Sequence, residues 1–278
     1  MKLASTVCLA ALILGVLSLI FAEVASAQVP QLNDLASKII KEVKPLKPRL
    51  IAVVDFRPPY GVDMPQGHYF AWLLSAIIEE KGKKLFVVAE HPAFDADLKR
   101  LRLTADALVP GDSLLGAAPV LGAEVLIIGT IERVGNHYAL RVVPVRVASS
   151  EPLMAMSAVI DTSEFLESML TPLPAGVPLL TAASQAPDIN MPSCIYCPDP
   201  SYSDLARREK IQGHNLFHVV VTSAGEAEQV VPVKMIGRGL DEQAYYAIKK
   251  WKFKPATLKA DGTPVKVIVP VEVTFRLY

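Results

Sequence analysis

The chain is 278 residues long and 51% hydrophobic, with 28 basic residues balancing 28 acidic ones. That length suits two modest domains. A balanced charge supplies no bulk field favouring nucleic acid or an anionic surface, so no nucleic-acid partner is expected.

Lys2 precedes an uncharged apolar run to Ala22, followed by Ala25-Ser26-Ala27-Gln28. A charged start, an apolar middle and a small-x-small exit form the pattern of a secretory signal, residues 1–27, with cleavage expected after Ala27. The rival reading is an uncleaved inner-membrane anchor, because Leu3 to Ala22 nearly reaches the roughly 20 residues that a spanning helix needs. Cys8 stands too early, behind bulky Val7, for a lipoprotein cysteine. In either case the folded part faces an oxidising space outside the cytoplasm.

Leu32, Leu35, Ile39, Ile40 and Val43 recur at helical spacing, so residues 31–44 read as an amphipathic helix stopped by Pro45 and Pro48. Leu50 to Phe56 reads as a buried strand ending at Asp55, with a loop at Arg57-Pro58-Pro59. Phe70, Leu73, Leu74, Ile77 and Ile78 mark a helix closed by Gly82. Leu85 to Ala89 is the next strand. Asp95 is expected to cap a helix carrying Leu98, Leu101, Ala105 and Leu108, and Asp112 or Ser113 another that runs to Leu121. Glu124 to Val134 and His137 to Val147 form a hairpin turned at Gly135-Asn136. Pro152 to Ile160 adds a third antiparallel strand, and Phe165 to Leu170 a short helix. The order implies a mixed-sheet α/β domain over residues 28–170.

Ile51-Ala52-Val53-Val54-Asp55-Phe56, with Leu121-Gly122-Ala123-Glu124-Val125-Leu126-Ile127-Ile128-Gly129-Thr130, resembles the N-terminal domain of TolB and related envelope domains of the FlgO and CsgG kind. The resemblance implies a protein-contact module, not an enzyme.

Residues 171–197 read as a proline-rich linker. The stretch 171–200 holds seven prolines and, as its only charges, Asp188 and Asp199. Such a segment is partly extended and is expected to let the two domains move independently.

The remainder, 198–278, reads as a small α+β domain with a three-stranded antiparallel sheet, so the chain as a whole is a two-domain α/β and α+β protein. Tyr202 to Lys210 is a short helix. Leu216–Thr222 and Ala227–Met235 are strands turned at Ser223-Ala224-Gly225. Leu240, Ala244, Ala247, Ile248 and Trp251 form the buried stripe of a second helix. From Val265 to Leu277 apolar residues alternate with Lys266, Ile268, Pro270, Glu272, Thr274 and Arg276. This is a half-buried strand, and Pro270 points to a sheet edge because proline donates nothing to a ladder. An edge offers its backbone to another chain.

Tyr202-Ser203-Asp204-Leu205-Ala206, Gly239-Leu240-Asp241, Trp251-Lys252-Phe253-Lys254-Pro255-Ala256, Gly262-Thr263-Pro264-Val265 and Val273-Thr274-Phe275-Arg276-Leu277 resemble the TonB C-terminal domain, in that family's order. Tyr202, Trp251, Phe253 and Pro255 are its structural motif residues here. The family grips the short box peptide of outer-membrane receptors by strand addition. The resemblance therefore implies a peptide-binding row at Val265, Lys266, Val267, Ile268, Val269, Val271 and Glu272. It implies a location in the periplasm or cell envelope and an envelope protein as partner, with a TonB-dependent outer-membrane receptor among the candidates. Peptidoglycan or inner-membrane motor proteins enter as partners only if the N-terminal helix is retained, in which case the chain would be an energy transducer. A short, nearly uncharged spacer and an extra α/β domain depart from TonB proper.

Cys194-Ile195-Tyr196-Cys197 is the only CxxC. A redox site wants this motif opening a helix beside a βαβ unit. Here it follows a proline-rich stretch, so a local disulfide is expected. His214 and His218 complete a C-x2-C…H-x3-H pattern, but on a strand four residues span roughly 13 Å, which argues against zinc. His68, His91 and His137 have no companions in sequence and read as ordinary core or surface histidines. Asp55 ends a strand, where α/β sites often sit, and reads as a loop-capping carboxylate. No nucleotide-loop, hydrolase or metalloprotease motif occurs. No catalytic residue, metal or cofactor is expected.

Overall fold

The structure, a computed structural model, describes residues 29–60, 63–103, 108, 110–181 and 188–277. The signal or anchor segment and Ala105 lie outside the described residues. No helix among them is long and apolar enough to cross a membrane.

Helix α1 (Val29–Val43) buries Leu32, Leu35, Ala36, Ile39 and Val43, the stripe its sequence spacing dictates. Strand β1 (Leu50–Val53) is followed by α2 (Pro65–Gly82), β2 (Val87–Val88), α3 (His91–Arg100) and α4 (Asp112–Leu121). The hairpin is β3 (Val125–Val134) and β4 (His137–Arg146), and Gly135 takes the positive φ its turn requires. The third antiparallel strand is split into β5 (Glu151–Pro152) and β6 (Met156–Asp161), both paired with β4. The sheet runs β2-β1-β3-β4-β5, parallel between β2, β1 and β3 and antiparallel beyond. It is the mixed sheet expected.

Alternation along β1 divides the core. Ile51 and Val53 face α1 and α2, while Ala52 and Val54 face Phe94 and Leu98 of α3 and Leu114, Ala117 and Leu121 of α4. Two capping expectations fail here. Neither Asp112 nor Ser113 caps α4, whose N-cap is Gly111 with no side-chain bond. Asp95 does not cap α3, which begins four residues earlier, at His91 with Pro92 in its first turn. Proline suits that position because its missing N–H would find no helical partner.

The C-terminal unit holds α6 (Asp204–Glu209), β9 (Gly213–Val221), β10 (Ala227–Lys234), α7 (Leu240–Ile248) and β14 (Val267–Phe275), with sheet order β10-β9-β14, all antiparallel. Phe217, Val219, Val221, Val267, Val269, Val273 and Phe275 form its buried face, against Leu205 and Ala206 of α6 and Leu240, Ala244 and Ile248 of α7. Gly225, at φ +79°, makes the β9–β10 turn; a Cβ there would lie 1.9 Å from the Phe253 carbonyl oxygen, so only glycine fits. The predicted last strand is interrupted. Val265 belongs to β13 (Pro264–Val265), paired with β12 (Ala256–Leu258), and Lys266 stands between β13 and β14.

The reading of residues 171–197 as a free linker is corrected. Leu180 is buried, and Leu179 bridges to Ile268 of β14. Strand β7 (Ile189–Asn190) pairs with β12, and β8 (Ser193–Tyr196) pairs with β11 (Lys252–Lys254). Proline-rich composition supplied extended backbone, and strand pairing with the C-terminal unit then used it.

The two units also pack directly, against the expectation of independent motion. Phe165 of α5 (Glu164–Ser168) meets Tyr245 of α7 edge-on at 5.6 Å. Gly237 lies so close to Trp72 that a Cβ would fall 2.7 Å from the indole. Arg208 pairs with Glu80 at 2.5 Å and Arg238 with Glu79 at 3.3 Å. One continuous apolar core runs through both units.

Candidate functional site

The outer edge of β14 is built by a simple alternation. The Ile268 N–H donates to the Pro178 carbonyl at 2.9 Å, and the Ile268 carbonyl accepts from the Leu180 N–H at 2.8 Å. Both backbone groups of Ile268 therefore point away from β9, although Ile268 stands opposite Val220 in the register. Antiparallel pairing alternates residue by residue. Pro270, Glu272 and Thr274 thus also direct their backbone outward, while Val269, Val271 and Val273 bond to β9. Pro270 interrupts nothing in the ladder; it removes one donor from the open edge. Among the described residues, no hydrogen bond meets the outward backbone groups of Glu272 and Thr274.

The expected binding row divides accordingly. Ile268 is on the edge but occupied, and Glu272 is on the edge and free. Val267, Val269 and Val271 bond inward, so they shape the strand without offering backbone. Val265 pairs with Ala256, and Lys266 holds Glu228 at 2.6 Å; neither belongs to β14. Thr274, absent from the expected row, belongs to the edge. Its position in the alternation was the available signal.

The structural motif residues hold the strand in place. Tyr202 packs edge-on against Phe275 at 5.3 Å and donates its hydroxyl to the Ile211 carbonyl at 3.1 Å. Trp251 donates its indole N–H to the Pro198 carbonyl at 2.9 Å, and Phe253 is buried at the Gly225 turn. Pro255 separates β11 from β12. Asp241 is fully buried and accepts from the backbone N–H groups of Ile236 and Gly237 and from Asn215. Burial pushes its carboxyl up to about 6 against the opposing pull of these bonds.

Cys194 and Cys197 form a disulfide with Cα atoms 6.1 Å apart, as expected. Its closed loop is short, so replacing both with serine is expected to lower stability by about 2 kcal/mol in urea unfolding, with no loss of strand binding. A loss of binding would give the motif a functional part. The zinc pattern does not assemble: both cysteines are oxidised, and His214 instead lies 2.8 Å from Lys234 Nζ.

Three residues read as unconnected are brought together at the other end of the molecule. Asp55 follows β1, His68 lies in the first turn of α2, and His91 opens α3. Parallel β1 and β2 place these ends side by side. His68 Nδ1 stands 3.1 Å from both Asp55 oxygens, and His91 Nε2 stands 2.7 Å from Oδ1. Burial pushes the Asp55 carboxyl up, but the bonds from His68 and His91 outweigh it and hold it far below the usual carboxylate range. The Asp55 hydrogen bond raises His68, against burial. Among the described residues this is the one His/Cys/Asp/Glu group placed to share an ion. His137, by contrast, pairs with exposed Asp161 at 2.6 Å.

A search of the curated proteins finds no match. Among solved structures, the LpoB C-terminal domain from Salmonella enterica is 16% identical, covering 47% of this chain and 96% of its own, with a TM-score of 0.36. The solution structure of the Pseudomonas aeruginosa TonB C-terminal domain is 19% identical, covering 37% of this chain and 96% of its own, with a TM-score of 0.27. A lipoprotein from Neisseria meningitidis is 16% identical, covering 44% and 91%, with a TM-score of 0.33. The model of the Gram-negative bacterial TonB protein C-terminal family matches residues 198–277, and over that stretch the resemblance read from the sequence holds.

Proposed function

We propose that this chain is an exported cell-envelope adaptor, without enzymatic activity, whose C-terminal unit captures an extended peptide of an envelope protein beside β14. The observation that supports this reading is the free outward backbone of Glu272 and Thr274 on an edge strand. Edge backbone supplies attraction without regard to side chains, and the alternating side chains beside it supply selectivity. The family match at 198–277 makes the box peptide of a TonB-dependent outer-membrane receptor the first partner to test.

Thr274→Pro removes one outward donor and leaves the β9 ladder intact, since Thr274 does not bond inward. We expect it to weaken binding of a synthetic box peptide about tenfold, the effect of about 1.4 kcal/mol, with the unfolding midpoint nearly unchanged. Val273→Pro, one residue away, strikes the ladder itself and should instead unfold the sheet. Isothermal titration and urea unfolding of both variants test the pair. Peptide affinity unaltered by Thr274→Pro would move the contact away from this edge.

A further inference from the structure

The geometry points to a divalent transition-metal site, of the zinc class, formed by Asp55, His68 and His91 in the N-terminal unit. The key atom is His91 Nδ1. It lies 2.8 Å from the Val53 carbonyl oxygen, which only accepts, so this nitrogen carries the proton. The other nitrogen of a neutral ring, Nε2, then presents a lone pair to the Asp55 carboxylate 2.7 Å away. Two electron-rich atoms facing one another at that distance call for a cation between them: a second proton on the ring, or a metal ion. A backbone carbonyl fixing one ring nitrogen so that the other faces an ion is a recurrent arrangement around metal-bound histidine.

A third residue converges on the same carboxylate. His68 turns its Nδ1 to it, 3.1 Å from each oxygen, and a metal ion is the one cation that all three groups could share. All three ligand atoms lie within 4.8 Å of one another. A tetrahedral zinc ion with bonds of about 2.0–2.1 Å sets its ligand atoms about 3.3 Å apart. The Asp55–His91 pair would open by about half an ångström, well within side-chain motion, and the His68 contacts are nearly right already. Two imidazoles and one carboxylate are a nitrogen–oxygen set suited to zinc and its neighbours and unsuited to calcium or magnesium. His91 is 2% exposed at its side chain, whereas His68 and Asp55 are 33% and 35% exposed. The buried ligand anchors the site, and the open side leaves a fourth position for water or an incoming ligand. Trp72 stacks near His68, with ring centres 5.8 Å apart, and also touches Gly237 of the C-terminal unit. An ion here would bear on the seam between the two units.

The test is titration of the full chain, stripped with chelator, with zinc chloride by calorimetry and with cobalt chloride by visible absorption. Trp72 fluorescence, taken as the difference from a Trp72→Phe variant that keeps Trp251, serves as a second readout during the cobalt titration. One equivalent of zinc should bind with micromolar or tighter affinity, and cobalt should give tetrahedral-type bands while quenching tryptophan emission. His68→Ala lies on the open side and should fold; it should weaken binding at least tenfold, and Asp55→Asn should do the same. Far-UV circular dichroism shows whether each variant is folded. Absence of saturable zinc binding to the wild-type chain would overturn the proposal and leave the cluster as a proton-sharing triad. So would equal binding by the wild-type chain and the folded His68→Ala variant, which would place the ion elsewhere.

Discussion

Replacing Leu180 with aspartate should raise the affinity of β14 for an added peptide strand about fivefold. The edge at Ile268 is already taken by the chain itself, through the two backbone bonds with Pro178 and Leu180. Leu180 seals this contact, being only 1% exposed. Two hydrogen bonds are worth about 1 kcal/mol each, and burying a leucine contributes about 2 kcal/mol. Ordering residues 178–180 costs about 1 kcal/mol for each of the three, so the covered state wins by about 1 kcal/mol. A ligand that must displace this segment has its affinity reduced by the fraction of molecules in which the edge is open. A buried charge at position 180 removes the covered state, and about 1 kcal/mol corresponds to the fivefold gain. Titration of a synthetic box peptide measures the gain, and hydrogen exchange at the Ile268 amide reports release of the segment. If the amide becomes exposed and affinity does not rise, the peptide does not use the upper part of this edge. If affinity falls, residues 178–180 belong to the binding surface instead of competing for it.

The same segment marks where sequence reasoning ran out. The alternation of Val267, Val269, Val273 and Phe275 was legible because a strand's period is a local property, and the structure buries all four. Ile268, the lone large apolar residue on the other parity, is 3% exposed and was the sign that this face was not simply solvated. The break at Lys266 left no trace, because β13 and β14 keep the same alternation across it. Residues 171–197 were misread because proline-rich, uncharged composition describes a free linker and a set of paired edge strands equally well. What settles the matter is pairing with β11, β12 and β14, some 60 to 90 positions away, and pairing over such separations has no local signature. Asp55, His68 and His91 escaped for the same reason, at separations of 13 and 36 positions. A faint signal existed. Each lies just beyond a parallel strand or at the start of the helix that follows, and in such folds those ends converge.

Between pH 5 and pH 9 the chain should lose several kcal/mol of stability, and Glu242→Gln should abolish most of that loss. Glu242 lies in the first turn of α7, only 4% exposed, and its Oε1 has no hydrogen-bond partner among the described residues. Burial pushes its carboxyl from 4.5 up to about 8, and the neighbouring Asp241 adds to the rise. Tyr69 of α2 faces it from the N-terminal unit with its own buried, unpartnered hydroxyl, and Tyr246 lies within its field. No cation appears among these neighbours. The sign follows from the direction of the shift. A carboxyl whose pKa is raised on folding takes up a proton as the chain folds. Its stabilisation is complete below about 4.5 and is lost as pH rises through about 8. Asp241, raised to about 6, acts in the same direction over a lower window. Between pH 6 and 8 this carboxyl alone should lower the stability by about 1.4 kcal/mol per pH unit, one proton's worth, and the raised His68 adds to the fall. Urea unfolding at pH 5 to 9 measures this slope. In Glu242→Gln it should shrink above pH 6 to the contribution of His68, which Asp55 raises and which acts in the same direction, and the variant should be the more stable chain at pH 9. An equal slope in both chains would assign the dependence to another group. Location adds a second readout, because Glu242 and Tyr69 belong to different units. If the charged carboxylate acts at the seam, alkaline pH should change Trp72 emission, taken as the difference from a Trp72→Phe variant, before the bulk of the helix signal is lost. If the two signals fall together, the continuous core has unfolded as one body, and the seam is no weaker than the domains it joins.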